Sequence, residues 1–194
     1  MNNLEHLKII LASKSPRRQE LIKGLELNYS IASIDVDESF PEHLQEAAIA
    51  EYLAQKKANA YNLPLKVNEI LLTADTIVWI NNKVLNKPEN EQHSFEMLKT
   101  ICGNVHTVFT GVCLKSNNKQ LIFSSSSKVY CSNLSDDEIW HYIKTYKPFD
   151  KAGSYGIQDW FGYTSVYKIE GCFYNIMGLP INELYKQLKT FCTK

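Results

Sequence analysis

The chain has 194 residues, 44% hydrophobic and 22% charged, with 21 basic and 21 acidic side chains and a formal net charge of zero. That suits one globular domain with two lobes over residues 1–194, and neutrality argues against a bulk electrostatic grip on nucleic acid or an anionic membrane. The five cysteines form no C-x-x-C pair, no stretch reaches the ~18 apolar residues of a membrane span, and the N-terminus does not read as a secretory leader, so the expectation is a cytoplasmic protein with reduced thiols.

Residues 7–12 (LKIILA) predict a short buried strand. Ser15-Pro16 then opens a helix, with serine at the N-cap and proline at N1, which Gly24 closes. A second strand is expected over 27–34 and a long helix over 42–61. Residues 69–80 (EILLTADTIVWI) read as a nearly continuous buried strand, turned by Asn81-Asn82 into a hairpin with 83–85. A helix is expected over 88–101, closed by Gly103, followed by a hairpin of 105–115 with 120–131. Ser135-Asp136-Asp137-Glu138 is a capping box that starts a helix reaching about Tyr146. A glycine-containing loop follows, then strands near 165–169 and 172–177, and a last helix over 180–191. Interleaved helices, strands and hairpins predict a mixed sheet flanked by helices.

The basic residues are unevenly typed. The only arginines are Arg17 and Arg18, at N2 and N3 of the first predicted helix; the other 19 basic residues are lysine. Cations are mildly unfavourable at a helix N-terminus, where unpaired N–H groups carry partial positive charge. A bound anion reverses that sign, and two guanidinium forks beside serine hydroxyls suit phosphate. The plain alternative is two solvated arginines.

Asp75 lies inside an apolar strand, where an unpaired carboxylate costs several kcal/mol. It is either a hydrogen-bonded structural residue or a general base or metal ligand. Lys57 interrupts the row Ile49, Leu53, Ala60 on one helix face, either snorkelling to water or reaching into a site. Lys87 precedes Pro88 just beyond the hairpin. Asp35, Asp37 and Glu38 form an acidic cluster of oxygen ligands suited to magnesium or manganese, or a solvated loop. In 150–158 (DKAGSYGIQ), Gly153 and Gly156 allow close approach to a ligand, and Gln158 offers one donor and one acceptor to a base edge. P-loop, G-x-G-x-x-G and H-E-x-x-H motifs are absent from the chain, which leaves a P-loop ATPase, a Rossmann dehydrogenase and a zincin unsupported.

The order and spacing of LASKSPRRQEL, AQKKA around Lys57, ADTIV, LNKP at Lys87, VHTVFTGV, DKAGSYGIQ and MGLPINEL resemble the Maf family of nucleoside triphosphate pyrophosphatases, from Leu11 to about Leu188. The resemblance implies an elongated, two-lobed α/β fold of the Maf and ITPase-like kind, around a strongly curved mixed sheet with a cleft between the lobes. It implies hydrolysis of the bond between the α and β phosphates, a divalent metal (Mg²⁺ or Mn²⁺), and a homodimer. By position it makes Asp75 the proton acceptor and places Ser13, Arg17, Arg18, Lys57 and Lys87 around the phosphates. Glu38, with Asp75, falls near the metal, and Arg17, Thr76 and Gln158 fall at positions tied to substrate choice. ADT together with AGSYGIQ is similar to the branch acting on dTTP and UTP, which extends to modified pyrimidine nucleotides, although Asp159-Trp160-Phe161 is bulkier than the stretch usual after GIQ. The alternatives are a non-catalytic nucleotide-binding regulator of septum formation and the sister branch acting on 7-methyl-GTP.

Overall fold

The computed structural model describes residues 4–192. Its apolar runs form a mixed sheet of seven strands: β1 (Lys8–Ala12), β2 (Asn28–Ala32), β3 (Glu69–Ile80), β4 (Lys83–Leu85), β5 (Val105–Lys115), β6 (Gln120–Cys131) and β7 (Val166–Glu170). The order is β2-β1-β3-β5-β6-β7, with β4 paired to β3. β1 runs parallel to β2 and β3, and every other pairing is antiparallel. The helices are α1 (Pro16–Lys23), α2 (Ala47–Ala60), α3 (Glu91–Ile101), α4 (Asp136–Tyr146), α5 (Trp160–Thr164), α6 (Phe173–Met177) and α7 (Ile181–Cys192).

One irregularity of the sheet positions the site. β5 pairs with β3 from Leu71 to Trp79. The other side of β3 is shared, because β1 pairs with 69–72 and β4 with 78–80. Residues 73–77 therefore have no strand beside them on that side, and Asp75 is at the middle of the gap. β1 leaves the sheet at this point and turns into α1. A gap at the carboxyl end of a parallel strand, opposite a helix N-terminus, is where open α/β sheets bind ligands.

Alternation along β3 sends its side chains to two layers. Leu71 and Ile77 pack with Ala54, Ala58, Ile49 and Leu53 of α2, so Thr73 and Asp75 point to that layer as well. Ile70, Leu72, Ala74 and Val78 join the larger core, with Ile22 of α1, Leu98 of α3, Tyr142 of α4 and Leu184 of α7. Thr76 shares that second face. Adjacent residues Asp75 and Thr76 are thus served by different helices.

The structure departs from the sequence expectations in four places. The helix expected over 42–61 begins only at Ala47, because Leu44 N–H bonds Pro41 O in a turn and Glu46 takes φ 50°, outside the helical region. α3 starts at Glu91 rather than 88, since the Asn90 side chain caps it through His93 N–H at 2.9 Å. Residues 172–177 are not a strand: 173–177 form α6, ended by Gly178 at φ 112°. The run is largely apolar and short, and its one polar residue, Asn175, turns its amide into the core, where Nδ2 donates to Val108 O and Ser127 Oγ, both at 3.0 Å. α5, capped by Asp159, had no counterpart in the expected elements.

Candidate active site

A cleft of about 630 Å³ opens at the gap in β3, a size usual for small-molecule sites. It is lined by 12–18 at the β1–α1 turn, Asp35 and Glu38, Lys57 of α2, 74–78 of β3, Asn86 and Lys87, 150–152, 155–157 and 176–178. Eight of the nine residues that the resemblance assigns to the site meet here: Ser13, Arg17, Arg18, Glu38, Lys57, Asp75, Thr76 and Lys87. Gln158 does not; the wall ends at Ile157, and Gln158 lies one residue beyond it.

Asp75 is 7% exposed and sits within the regular β3–β5 ladder opposite Gly111, not at a bulge. Burial raises its pKa, against the opposing pull of Lys57 and Arg18. Lys57 does not run out to water. Its Nζ donates to Asp75 Oδ1 at 2.5 Å and to Glu38 Oε1 at 2.8 Å. Glu38 Oε2 in turn accepts from Lys87 Nζ at 3.3 Å. Burial pulls Glu38 upward, but its bonds to Lys57 and Lys87 outweigh that and hold it below the usual glutamate value.

Gly111 makes the Lys57 contact possible. A Cβ on Gly111 would lie 2.3 Å from the carbonyl carbon and oxygen of Ala50, so α2 rests directly on the β5 backbone. That close approach brings Lys57, two turns further along α2, within reach of Asp75. Thr73 Oγ1 fixes the same helix by donating to Ala54 O at 2.7 Å.

On the opposite face, Ser15 caps α1 by accepting from Arg18 N–H, which puts Arg17 and Arg18 at N2 and N3 as the sequence predicts. Their side chains diverge. Arg18 is half-buried, and desolvation lowers its pKa while Asp75 opposes the shift. Its Nε donates to Gly178 O at 2.8 Å and its Nη2 to Thr76 Oγ1 at 2.9 Å. Arg17 stays at the mouth, with Nη1 donating to Asp150 Oδ2 at 3.0 Å. Asp150 also accepts from Lys151 Nζ at 2.7 Å. Buried Ser13 accepts the Ser15 N–H at its Oγ, leaving the Ser13 hydroxyl proton for the cleft.

Three participants escaped the sequence reading: Asp150 as partner of Arg17, the Gly178 carbonyl as partner of Arg18, and Thr110 beneath Thr76. Asp150 opens a loop in which the glycines and Gln158, rather than the aspartate, stand out. Nothing local marks the other two.

The carboxylates also bear on metal binding. Asp75 and Glu38 each aim an oxygen at the same Lys57 ammonium, so two hard donors converge on one cation-sized position. Mg²⁺ sites use one or two carboxylates completed by substrate phosphates and water. The donor set fits such an ion shared with a polyphosphate. Among the described residues no group of three or more His, Cys, Asp or Glu forms a self-sufficient metal cage. Chemically the cleft offers one buried base, several cations and a helix N-terminus, which together suit attack of water on a polyanionic phosphate ester or anhydride.

The family model described as Maf-like protein matches residues 8–191. A Bacteroides thetaiotaomicron protein named dTTP/UTP pyrophosphatase is 50% identical over 190 residues, covering 97% of this chain and 98% of its own. A Flavobacterium johnsoniae protein of the same name is 48% identical over 187 residues, covering 96% of each. A third, from Porphyromonas gingivalis, is 43% identical over 194 residues, covering 98% of each. Among solved structures, the Staphylococcus aureus Ham1 protein is 14% identical with a TM-score of 0.48, over 65% of this chain and 72% of its own.

Proposed function

The chain belongs to the Maf-like protein family, and on that premise we propose that it hydrolyses dTTP and UTP, with modified pyrimidine nucleotides of the same base edge, to the nucleoside monophosphate and pyrophosphate. One observation carries the assignment: buried Asp75 and the cations Arg17, Arg18, Lys57 and Lys87 converge on a single cleft.

The chemistry follows from charge. A triphosphate resists a nucleophile until its negative charge is neutralised, so positioning and electrostatics supply most of the catalysis. Lys57 and Lys87 exchange carboxylate partners for phosphate oxygens as the nucleotide enters. Arg17 and the N–H groups of α1 hold the outer phosphates, and the Ser13 hydroxyl donates to one of their oxygens. A water molecule attacks the α-phosphorus and gives its proton to Asp75. The bond from that phosphorus to the bridging oxygen breaks, and its electron pair leaves on pyrophosphate. Burial raises the Asp75 pKa and makes it a stronger base than a surface aspartate, with Lys57 and Arg18 opposing the shift. Asp75 and Glu38 would hold Mg²⁺ or Mn²⁺, which supplies charge neutralisation and a lowered water pKa.

The same reading takes the protein as a cytoplasmic homodimer that binds neither nucleic acid nor membrane. Five free cysteines support the first part. Exposed Tyr163, Tyr167 and Tyr174, on or next to the open edge strand β7, support a second copy. No helix among the described residues is long and apolar enough to cross a membrane.

The test is pyrophosphate release from dTTP, UTP, CTP, ATP, GTP and 7-methyl-GTP with Mg²⁺ or Mn²⁺, for wild type and Asp75→Asn. The expected result is preferential release from dTTP and UTP, lost in the variant. A fully active Asp75→Asn protein would remove Asp75 from the mechanism. Binding without release by wild type would leave a nucleotide-binding regulator.

A further inference from the structure

Thr76 lines the cleft, and its hydroxyl belongs to a chain of hydrogen bonds that runs inward through the sheet. Arg18 Nη2 donates to Thr76 Oγ1 at 2.9 Å. Thr76 Oγ1 and Thr110 Oγ1 are 2.9 Å apart. Thr110 Oγ1 donates to the backbone carbonyl of Asn175 at 2.9 Å. A guanidinium only donates and a carbonyl only accepts, so the two ends set the direction of the protons between them. Thr110 spends its one hydrogen on Asn175 and must receive that of Thr76. The other carbonyl near Thr76, Gly178 O at 3.5 Å, is also only an acceptor. Neither contact leaves a Thr76 hydrogen for the cleft.

What Thr76 can still show a ligand is a lone pair. Phosphate oxygens at neutral pH are acceptors too, so Thr76 is unsuited to hold them. Its partner has to be a donor elsewhere on the nucleotide.

We propose that Thr110, by taking the Thr76 hydroxyl proton, is a specificity-determining residue: it makes Thr76 an acceptor that selects the imide N3–H of uracil and thymine over the bare N3 of cytosine. The proposal rests on the pyrimidine nucleotide reading above and adds to it the device that rejects CTP. Two lone pairs facing each other in a cleft leave both groups without a hydrogen bond, and sites built to pair one polar group reject its mismatched analogue for that reason. The relay is held in place. Thr110 and Asn175 are both 0% exposed. Asn175 Nδ2 is fixed by Val108 O and Ser127 Oγ, so the carbonyl that orients Thr110 does not turn away.

The test compares kcat/KM for UTP and CTP in wild type, Thr110→Ser, Thr110→Val and Thr110→Ala. Sugar and triphosphate are identical, so the ratio reads the base alone and general damage to the protein cancels within each variant. Wild type and Thr110→Ser are expected to share a high UTP/CTP ratio. Valine and alanine cannot accept the Thr76 proton, and Gly178 O at 3.5 Å is beyond a normal O–H···O length, so the proton turns toward cytosine N3. The ratio should fall roughly five- to tenfold, with a gain on CTP. A ratio that stays put, or that falls without any gain on CTP, overturns the proposal. The same ratio is read from dissociation constants for the two nucleotides, so a wild type that binds without releasing pyrophosphate overturns the proposed activity while the specificity claim is still decided.

Discussion

Arg17 and Arg18 are neighbours in sequence with different tasks. Arg18 is half-buried, with two donors committed to Gly178 O and Thr76 Oγ1. A lysine has one nitrogen on a flexible stem and cannot reproduce that fork. Arg18→Lys is therefore expected to lower kcat/KM by roughly 10- to 100-fold, the worth of a lost charge-assisted bond. Arg17 makes one contact at the mouth, with Asp150, in a partly exposed pair. Arg17→Lys should cost less than about tenfold. Steady-state kinetics on both variants checks the order, and an Arg17 variant hit harder than the Arg18 variant would contradict it. Composition made this site legible in part, since two arginines in a lysine chain stand out, as does an aspartate in an apolar strand. Partners 133 and 160 residues away, Asp150 and Gly178, leave no local trace. Lys57 was ambiguous for a related reason: a lysine in an apolar helix row looks the same whether its tip meets water or a buried carboxylate.

At the level of elements, the contact between α2 and β5 decides whether Lys57 and Asp75 meet. Gly111 is its weak point, because a methyl group there collides with helix backbone rather than with a movable side chain. Gly111→Ala is expected to destabilise the fold by about 1–3 kcal/mol, as overpacking does. It should also lift α2 and raise KM for the nucleotide more than a mutation of equal cost elsewhere. Ser135→Ala is the control: it breaks the capping box of α4, where Ser135 Oγ accepts Glu138 N–H and Glu138 returns the bond. It should cost about 1 kcal/mol and leave kcat/KM unchanged. Denaturant unfolding paired with kinetics separates the two, and equal KM values would remove Gly111 from the site argument. Strands β3, β5 and β6 were legible to the residue because their apolar runs end in turn signals, such as Asn81 and Asn82 at φ 51° and 58°. α6 was not. Its short apolar and aromatic run reads equally as a strand, and the contacts of Asn175 with β5 and β6, far away in sequence, favour a helical turn. Tertiary packing overrides a short local pattern most easily where the element is only five residues long.

For the whole molecule, the response to acid depends on a group outside the chemistry. His106 on β5 is 1% exposed, and its Nε2 lies 2.7 Å from the Tyr155 phenol, which reaches the cleft wall. Burial lowers the His106 pKa from 6.5 to about 4. The unfolded chain takes up this proton near 6.5, while the folded protein refuses it until about 4. Between those values the unfolded state holds the extra proton, so stability falls as pH falls, by on the order of 3 kcal/mol in all. Asp75 works the other way, because its raised pKa means that the folded state takes a proton more readily than the unfolded one. Glu38 and Asp150, both held below their usual values, add to the loss in acid. A pH curve for wild type alone would mix these contributions. A comparison with His106→Phe does not, since both proteins keep the three carboxylates. Unfolding free energies at pH 7.5 and 4.5 should differ less in the variant than in wild type, by about 2–3 kcal/mol. Parallel curves would mean that His106 accepts its proton in the folded core. The strand that carries Gly111 and Thr110 to the cleft would then tolerate a buried charge beside Tyr155.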